Sequence, residues 1–250
     1  MLNFNALPES TASLLEDLKD LKEVEGFFLI GGTALALQVG HRISEDLDLA
    51  WTRGNLPQAK IEAIVTKLAG NEKPALVTDQ SALLNAENEG IDLHRTQQDW
   101  QIRDVKLTFF APYEPAQQAV YERAAPRQHG NLAILDPESV FELKCSLLFE
   151  RKASRDLYDL WYFLEHGGKT VNAVLAAMDR RKEHRTRDSL LDLLAPPALH
   201  MDDPGFEPLL EGAPADKDEL LARMDALARK HRAGIAQHLG FVRHQSSRGR

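Results

Sequence analysis

Asp46 and Asp48 alternate with Leu47, Leu49 and Ala50, a period that puts both carboxylates on one face of a strand and the leucines on the other. Like charges side by side on a strand repel, so the pair asks for a counter-charge. A divalent cation supplies one: carboxylate oxygens suit Mg²⁺, which shares its other positions with water and substrate phosphates. Upstream, the apolar run Phe27–Ile30 has the length and aromatic content of a buried strand and is followed by Gly31, Gly32 and Thr33. The glycines allow a tight turn with bare N–H groups, and Thr33 is placed to cap the short helix after it, a natural anion site. Turn, helix and Asp-x-Asp strand together read as a metal-dependent phosphoryl-transfer site. The plainer alternative is a Gly-rich loop beside a solvated acidic strand face.

A second group of candidates lies a hundred residues further on. Asp136 is an N-cap, Pro137 takes the first helical position and Glu138 the first turn. Lys144 follows on that helix beside the apolar positions Val140, Leu143, Leu147 and Leu148; by itself it reads as a snorkelling surface lysine. Then come Arg151, Lys152, Arg155, Asp156 and Asp159. The two aspartates share a helical face, and Arg155 can pair with Asp159 at i,i+4.

The phrase Gly31-Gly32-Thr33-Ala34-Leu35-Ala36-Leu37, continued by Gly40-His41-Arg42-Ile43-Ser44-Glu45-Asp46-Leu47-Asp48-Leu49, resembles the signature of the AbiEii/AbiGii toxin group of nucleotidyltransferases. That group belongs to the DNA polymerase β-like superfamily. The block from Leu143-Lys144 through Arg151 to Arg155-Asp156-Leu157-Tyr158-Asp159-Leu160 is similar to a second element of the group, and the two bracket roughly residues 25 to 165. The resemblance implies an α/β (α+β) fold: a polymerase β-like mixed sheet flanked by helices, with a mainly helical C-terminal part. It implies Mg²⁺-dependent transfer of a nucleotidyl group from an NTP to an acceptor hydroxyl, a tRNA or other RNA. It also implies the toxin of a toxin–antitoxin or phage-defence pair, with a cognate antitoxin as partner.

On these positions Asp46 and Asp48 hold the metal and Lys144 binds the triphosphate. Gly31, Gly32 and Thr33 hold the outer phosphates by backbone N–H groups, with side-chain contacts from Arg42 or Ser44. Asp156 is a catalytic carboxylate, the candidate base, and Asp159 orients Arg155. One departure stands out. The superfamily commonly carries a third carboxylate on a later strand, and at the matching position of Val105–Phe110 this chain has Thr108. Asp92 and Asp104 are the candidate substitutes. The departure keeps two competing readings open: a catalytically degenerate fold that binds nucleotide or a partner, or a transferase acting on a protein or small molecule.

The elements that must position these residues follow from periodicity. Leucines at 14, 15, 18 and 21, after Ser13 and Glu16 at capping-box spacing, predict a first helix. Pro57 starts another, with Ile61, Ile64, Val65 and Leu68 facing inward. Ala75–Val77, Ile91–His94 and Val105–Phe110 read as strands. This groups residues 1–168 as a nucleotidyltransferase core, 169–242 as a helical region with helices at 171–178, 189–194 and 218–239, and 243–250 as a disordered basic tail. The net charge of −8 argues against non-specific coating of nucleic acid, although Arg180–Arg187 is locally basic: a solvated surface, or a phosphate-backbone contact. A single cysteine, Cys145, excludes an internal disulfide. With no leader-like start and no membrane-length apolar run, a cytoplasmic protein without membrane contact is expected.

Overall fold

The computed structural model describes residues 1–247 except Glu89, Ile91, Lys182 and His184; for Ser81, Ala82, Asn85, Ala86 and residues 237–247 it describes the backbone alone. In chain order the elements are α1 (Glu9–Lys19), β1 (Phe27–Ile30), α2 (Gly31–Val39), β2 (Leu47–Trp51), α3 (Gln58–Ala69), β3 (Ala75–Leu76), α4 (Gln80–Asn88), β4 (Gln97–Ile102), β5 (Val105–Phe110), α5 (Pro115–Arg123), β6 (Arg127–His129), β7 (Leu132–Ile134), α6 (Pro137–Leu147), α7 (Ser154–Glu165), α8 (Val171–Asp179), α9 (Arg187–Leu194) and α10 (Lys217–Ser247). They fall into two compact units, residues 1–143 with 209–211, and residues 144–208 with 212–250.

The first unit holds a mixed seven-stranded sheet of order β3-β4-β5-β2-β1-β7-β6. Its centre is antiparallel between β1 and β2 and parallel between β2 and β5. Register pairs Leu29 with Leu49 and Leu49 with Phe109, and Leu47 with Leu107. This face, with Phe27, is fully buried, and the aromatic rings of Phe27 and Phe109 meet edge-on at 5.6 Å. The opposite parity gives a different row: Ile30 opposite Asp48, Asp48 opposite Thr108, Thr108 opposite Asp99. Directly opposed residues share a face, so the alternation read at Asp46–Ala50 places Asp48 on the polar side of the central strands.

Several sequence expectations are corrected here. The α1 N-cap is Pro8, five residues upstream of the first capping-box position proposed; Ser13 and Glu16 lie inside the helix. The segment expected as a strand at Ile91–His94 contains a 3₁₀ turn at Leu93–Arg95, and Ile91 lies outside the described residues. On its other edge β5 pairs with β4, a run whose alternation is masked by glutamines: Gln97, Gln98 and Gln101. The β4–β5 link is a two-residue turn in which Arg103 and Asp104 have φ of 49° and 62°, the positive values a tight hairpin requires.

The second unit is helical. α10 packs on α7, α8 and α9, with Leu220, Met224 and Ala228 fully buried. It continues through Ser247, past the helix end expected at 239 and into the segment read as a tail; residues 248–250 lie outside the described residues. Of the basic run 180–187, Lys182 and His184 also lie outside them.

Candidate active site

In the first unit the site is built at the end of β1. Gly31 has φ +70°, a left-handed value that suits glycine. It opens α2 with no side-chain cap at Ile30. A Cβ on Gly31 would lie 2.8 Å from Oδ2 of Asp48, so the Asp48 carboxylate sits directly against the glycine turn. That contact joins the two halves of the motif, the uncapped N-terminus of α2 and the Asp-x-Asp strand. Asp46 lies two residues before Asp48, on the segment entering β2.

Thr33 does not cap the helix. It stands inside the first turn, 1 % exposed, where its hydroxyl lies 2.9 Å from Ser44 Oγ and donates to the Asp46 carbonyl. Thr33 and Ser44 therefore fasten the Ser44–Asp46 segment to the start of α2. Arg42, 2 % exposed, donates from Nη1 to the Ile43 carbonyl at 3.0 Å, and a Cβ on Gly32 would overlap its guanidinium. Gly31, Gly32, Thr33, Arg42, Ser44 and Asp48 are thus brought together. Gly32 makes room for a buried cation, a use of glycine that spacing alone does not reveal.

Tyr121 of α5, which nothing in the sequence singles out, meets Phe28 in a tilted ring contact with centroids 5.7 Å apart. Burial chiefly, with the nearby Asp48 charge, pushes its phenol well above the ordinary range, so it is a neutral hydroxyl beside the carboxylate. Of the proposed substitutes for a third carboxylate, Asp92 is exposed and pairs with Arg95 at 3.5 Å. Asp104 is spent on the hairpin turn. Neither lies on the Asp48 row.

In the second unit, Lys144 donates from Nζ at 2.6 Å to Asp156 Oδ1 and stands 2.6 Å from Asp159 Oδ2. All three side chains are buried, at 5 %, 2 % and 0 % exposure. Arg151 grips Asp156 with two donors, Nε at 2.6 Å and Nη2 at 3.2 Å, while 54 % of its side chain stays exposed. Burial pushes the Asp156 carboxyl up, but the Lys144 and Arg151 charges and hydrogen bonds outweigh it and hold the group below the ordinary carboxylate range. A carboxylate so engaged is a weak base and a firm anchor for cations. Arg155 donates from Nε to the Gly205 carbonyl at 3.1 Å. Arg151 is the member of this network whose role the sequence did not assign; its five-residue offset from Asp156, across a helix start, matches no helical pairing rule.

No group of three or more His, Cys, Asp or Glu gathers as a ready metal cage among the described residues. The donor chemistry of Asp46 and Asp48 nonetheless suits Mg²⁺, which needs few protein oxygens when water and phosphates complete its shell. No helix among them is long and apolar enough to cross a membrane.

The family model described as nucleotidyl transferase AbiEii toxin, type IV TA system, matches residues 13–245. Among solved structures, the chain is similar to JHP933 from Helicobacter pylori, at 15 % identity over 97 % of this chain and 100 % of that one, with a TM-score of 0.44. It is also similar to a protein named "putative nucleotidyltransferase" from H. pylori, at 17 % identity over 75 % and 80 % of the two chains, with a TM-score of 0.42. A search of curated proteins gives no match.

Proposed function

The chain belongs to the AbiEii nucleotidyltransferase toxin family, and we propose that it uses Mg²⁺ to transfer a nucleotidyl group from an NTP to an RNA hydroxyl, a tRNA being the first acceptor to test. The observation that carries this reading is the seating of the Asp48 carboxylate against Gly31 at the open N-terminus of α2. It puts an oxygen ligand for a cation next to backbone N–H groups aimed at an anion, the pairing an NTP–metal complex needs. In the reaction the acceptor oxygen attacks the α-phosphorus, the bond to the β-phosphate oxygen breaks and pyrophosphate leaves. The hydroxyl proton passes to solvent or a nearby carboxylate. Asp46 and Asp48 would hold the metal, which supplies charge neutralisation and Lewis-acid polarisation of the phosphate when bound. Gly31, Gly32 and Thr33 offer backbone N–H groups to the outer phosphates, while the Thr33–Ser44 bond and Arg42 keep that turn rigid.

Lys144 keeps the phosphate-neutralising role that the family resemblance implies. Asp156 and Asp159 hold its ammonium in place, and Arg151, half exposed and bidentate to Asp156, is the arm of the network at the surface and the one we assign to a phosphate. The geometry favours Asp156 as the anchor of these two cations over Asp156 as a base. We count residues 1–168 as the catalytic core and the helices beyond as an accessory region.

A phosphate-rich acceptor is supported within the second unit by a cavity of about 780 Å³. Among the described residues, Lys169, Arg187, Lys230 and His231 line it with no Asp or Glu, beside Thr170, Val171 and Asn172 at the start of α8. In a chain with 38 acidic and 30 basic residues, a wall whose described charged residues are basic is a local inversion of charge suited to polyanions. The cytoplasmic setting, the toxin role and a cognate antitoxin as partner are proposed from the family's description.

The test is transfer of α-labelled NTPs, one at a time with Mg²⁺, to total RNA and to RNA-free extract, with the Asp46→Ala/Asp48→Ala variant alongside. Label on tRNA-sized RNA that the variant fails to produce supports the reading. Label in RNA-free extract alone moves the acceptor to protein or metabolite. NTP binding with no label anywhere identifies a degenerate binding module, the reading that Thr108 in place of a carboxylate keeps open.

A further inference from the structure

We propose that Thr108 and Asp99 act as one unit in place of the third carboxylate, Asp99 fixing the Thr108 hydroxyl so that its oxygen accepts a hydrogen bond from a metal-bound water. The inference rests on the metal-dependent reading above and extends it to two residues not assigned there.

Thr108 sits directly opposite Asp48 on one side and Asp99 on the other. Directly opposed residues of neighbouring strands point to the same face, so the Thr108 hydroxyl would stand within a water's reach of a cation held at Asp48. A third carboxylate on β5 would occupy the Thr108 position. Here the negative charge has moved one strand outward: Thr108 Oγ1 donates to Asp99 Oδ1 at 2.8 Å.

The direction of that bond matters. A threonine hydroxyl has one proton and two lone pairs. With its proton committed to Asp99, the oxygen offers lone pairs alone, and the hydroxyl cannot turn to donate to Asp48 and occupy one of the oxygens needed for the cation. Asp99 is itself constrained for the task. Its side chain is 7 % exposed, Gln97 Nε2 donates to Oδ2 at 3.1 Å, Lys106 Nζ stands 3.5 Å from Oδ1, and its backbone N–H donates to Thr78 Oγ1 at 3.0 Å. Outer partners that orient ligands in this way typically affect metal affinity by about 10–100-fold when removed. The simpler use of Asp99, pairing with Lys106, explains neither its burial nor why its better hydrogen bond goes to the residue beside Asp48.

The experiment measures Mn²⁺ binding by the electron paramagnetic resonance of free Mn²⁺, in the presence of a non-hydrolysable NTP analogue. The proteins are wild type, Thr108→Val, Thr108→Ser, Asp99→Asn and Asp99→Asn/Thr108→Asp, with Asp46→Ala/Asp48→Ala as the blank. Circular dichroism checks that each retains its fold. Thr108→Val and Asp99→Asn should each weaken Mn²⁺ binding about tenfold. Thr108→Ser should keep it, and the double variant, which returns a carboxylate to β5, should recover it. Equal affinity in wild type, Thr108→Val and Asp99→Asn overturns the inference and leaves the metal reading standing. No binding by wild type above the blank overturns the metal reading itself and this inference with it. The Thr108→Val and double variants decide the matter should Asp99→Asn fail to fold.

Discussion

Replacing Gly31 by alanine separates the backbone cost of a left-handed residue from the cost of moving a catalytic carboxylate, because the fold contains its own control. Gly31 and Gly168 have nearly the same φ, +70° and +68°. A Cβ on Gly168 would meet nothing within 4 Å, whereas one on Gly31 would lie 2.8 Å from Asp48 Oδ2. Both variants bear the left-handed penalty of about 1–2 kcal/mol, which for a chain of this size lowers Tm by about 2–8 °C. Gly31→Ala also forces the carboxylate away. Ordinary contact begins at 3.4 Å, so Asp48 must retreat by ~0.6 Å or more, and rotating it off its preferred angle costs a further ~0.5–1.5 kcal/mol. The stabilities of the two variants therefore differ little. Their activities should not: a displacement approaching 1 Å at a reacting centre can cost about 100-fold. Nucleotidyl transfer and thermal melting of both variants, measured together, check this. Gly31→Ala keeping activity within about threefold of wild type, or Gly168→Ala losing as much, would refute the seating of Asp48 against the turn.

Other expectations follow from the second unit. Lys144→Met removes the ammonium between two buried carboxylates, at a cost of about 3–5 kcal/mol, and should lower Tm by about 6–20 °C; a change under 3 °C would mean the network is solvated in solution. Asp156, held low by Lys144 and Arg151 against the opposing effect of burial, contributes stability that is present above its unfolded value near 3.8 and lost as pH falls through its folded range. The Tm gap between wild type and Asp156→Asn should therefore narrow below about pH 4, and a gap constant from pH 6 to 3 would contradict the ion pairing. Arg151→Lys keeps a charge but loses the two-donor grip; being half exposed, it should change stability by under ~1 kcal/mol while raising KM for the NTP. Lys230→Glu with Arg187→Glu should weaken RNA binding and flatten its salt dependence without altering NTP binding, as filter binding at two ionic strengths would show.

The sequence by itself determined the parts of the site that are local. A 2-residue period fixed which face Asp48 shares, since alternation is a property of the strand alone. Two glycines after an apolar run marked the turn, and Asp136 before Pro137 announced the start of α6; the structure shows Asp136 accepting from Ser139 N–H at 3.0 Å. Family membership was legible for the same reason, because the motif is contiguous. What the tertiary structure decided is everything that depends on strand order and on side chains meeting from distant segments. Thr33 has the composition of a cap, but burial against Ser44 and Asp46 gave its hydroxyl a different partner. β4 escaped notice because its glutamines blur the polar–apolar contrast on which strand reading depends. With β4 went Asp99, whose place beside Thr108 is set by a hairpin register, not by spacing. Asp104 looked as good a carboxylate in sequence, and the positive φ of the turn removed it. Arg151, too, acquires its meaning only when the break between α6 and α7 brings it back onto Asp156. Distances along the chain can name the chemistry, while pairing across the sheet and the helices chooses which residues perform it.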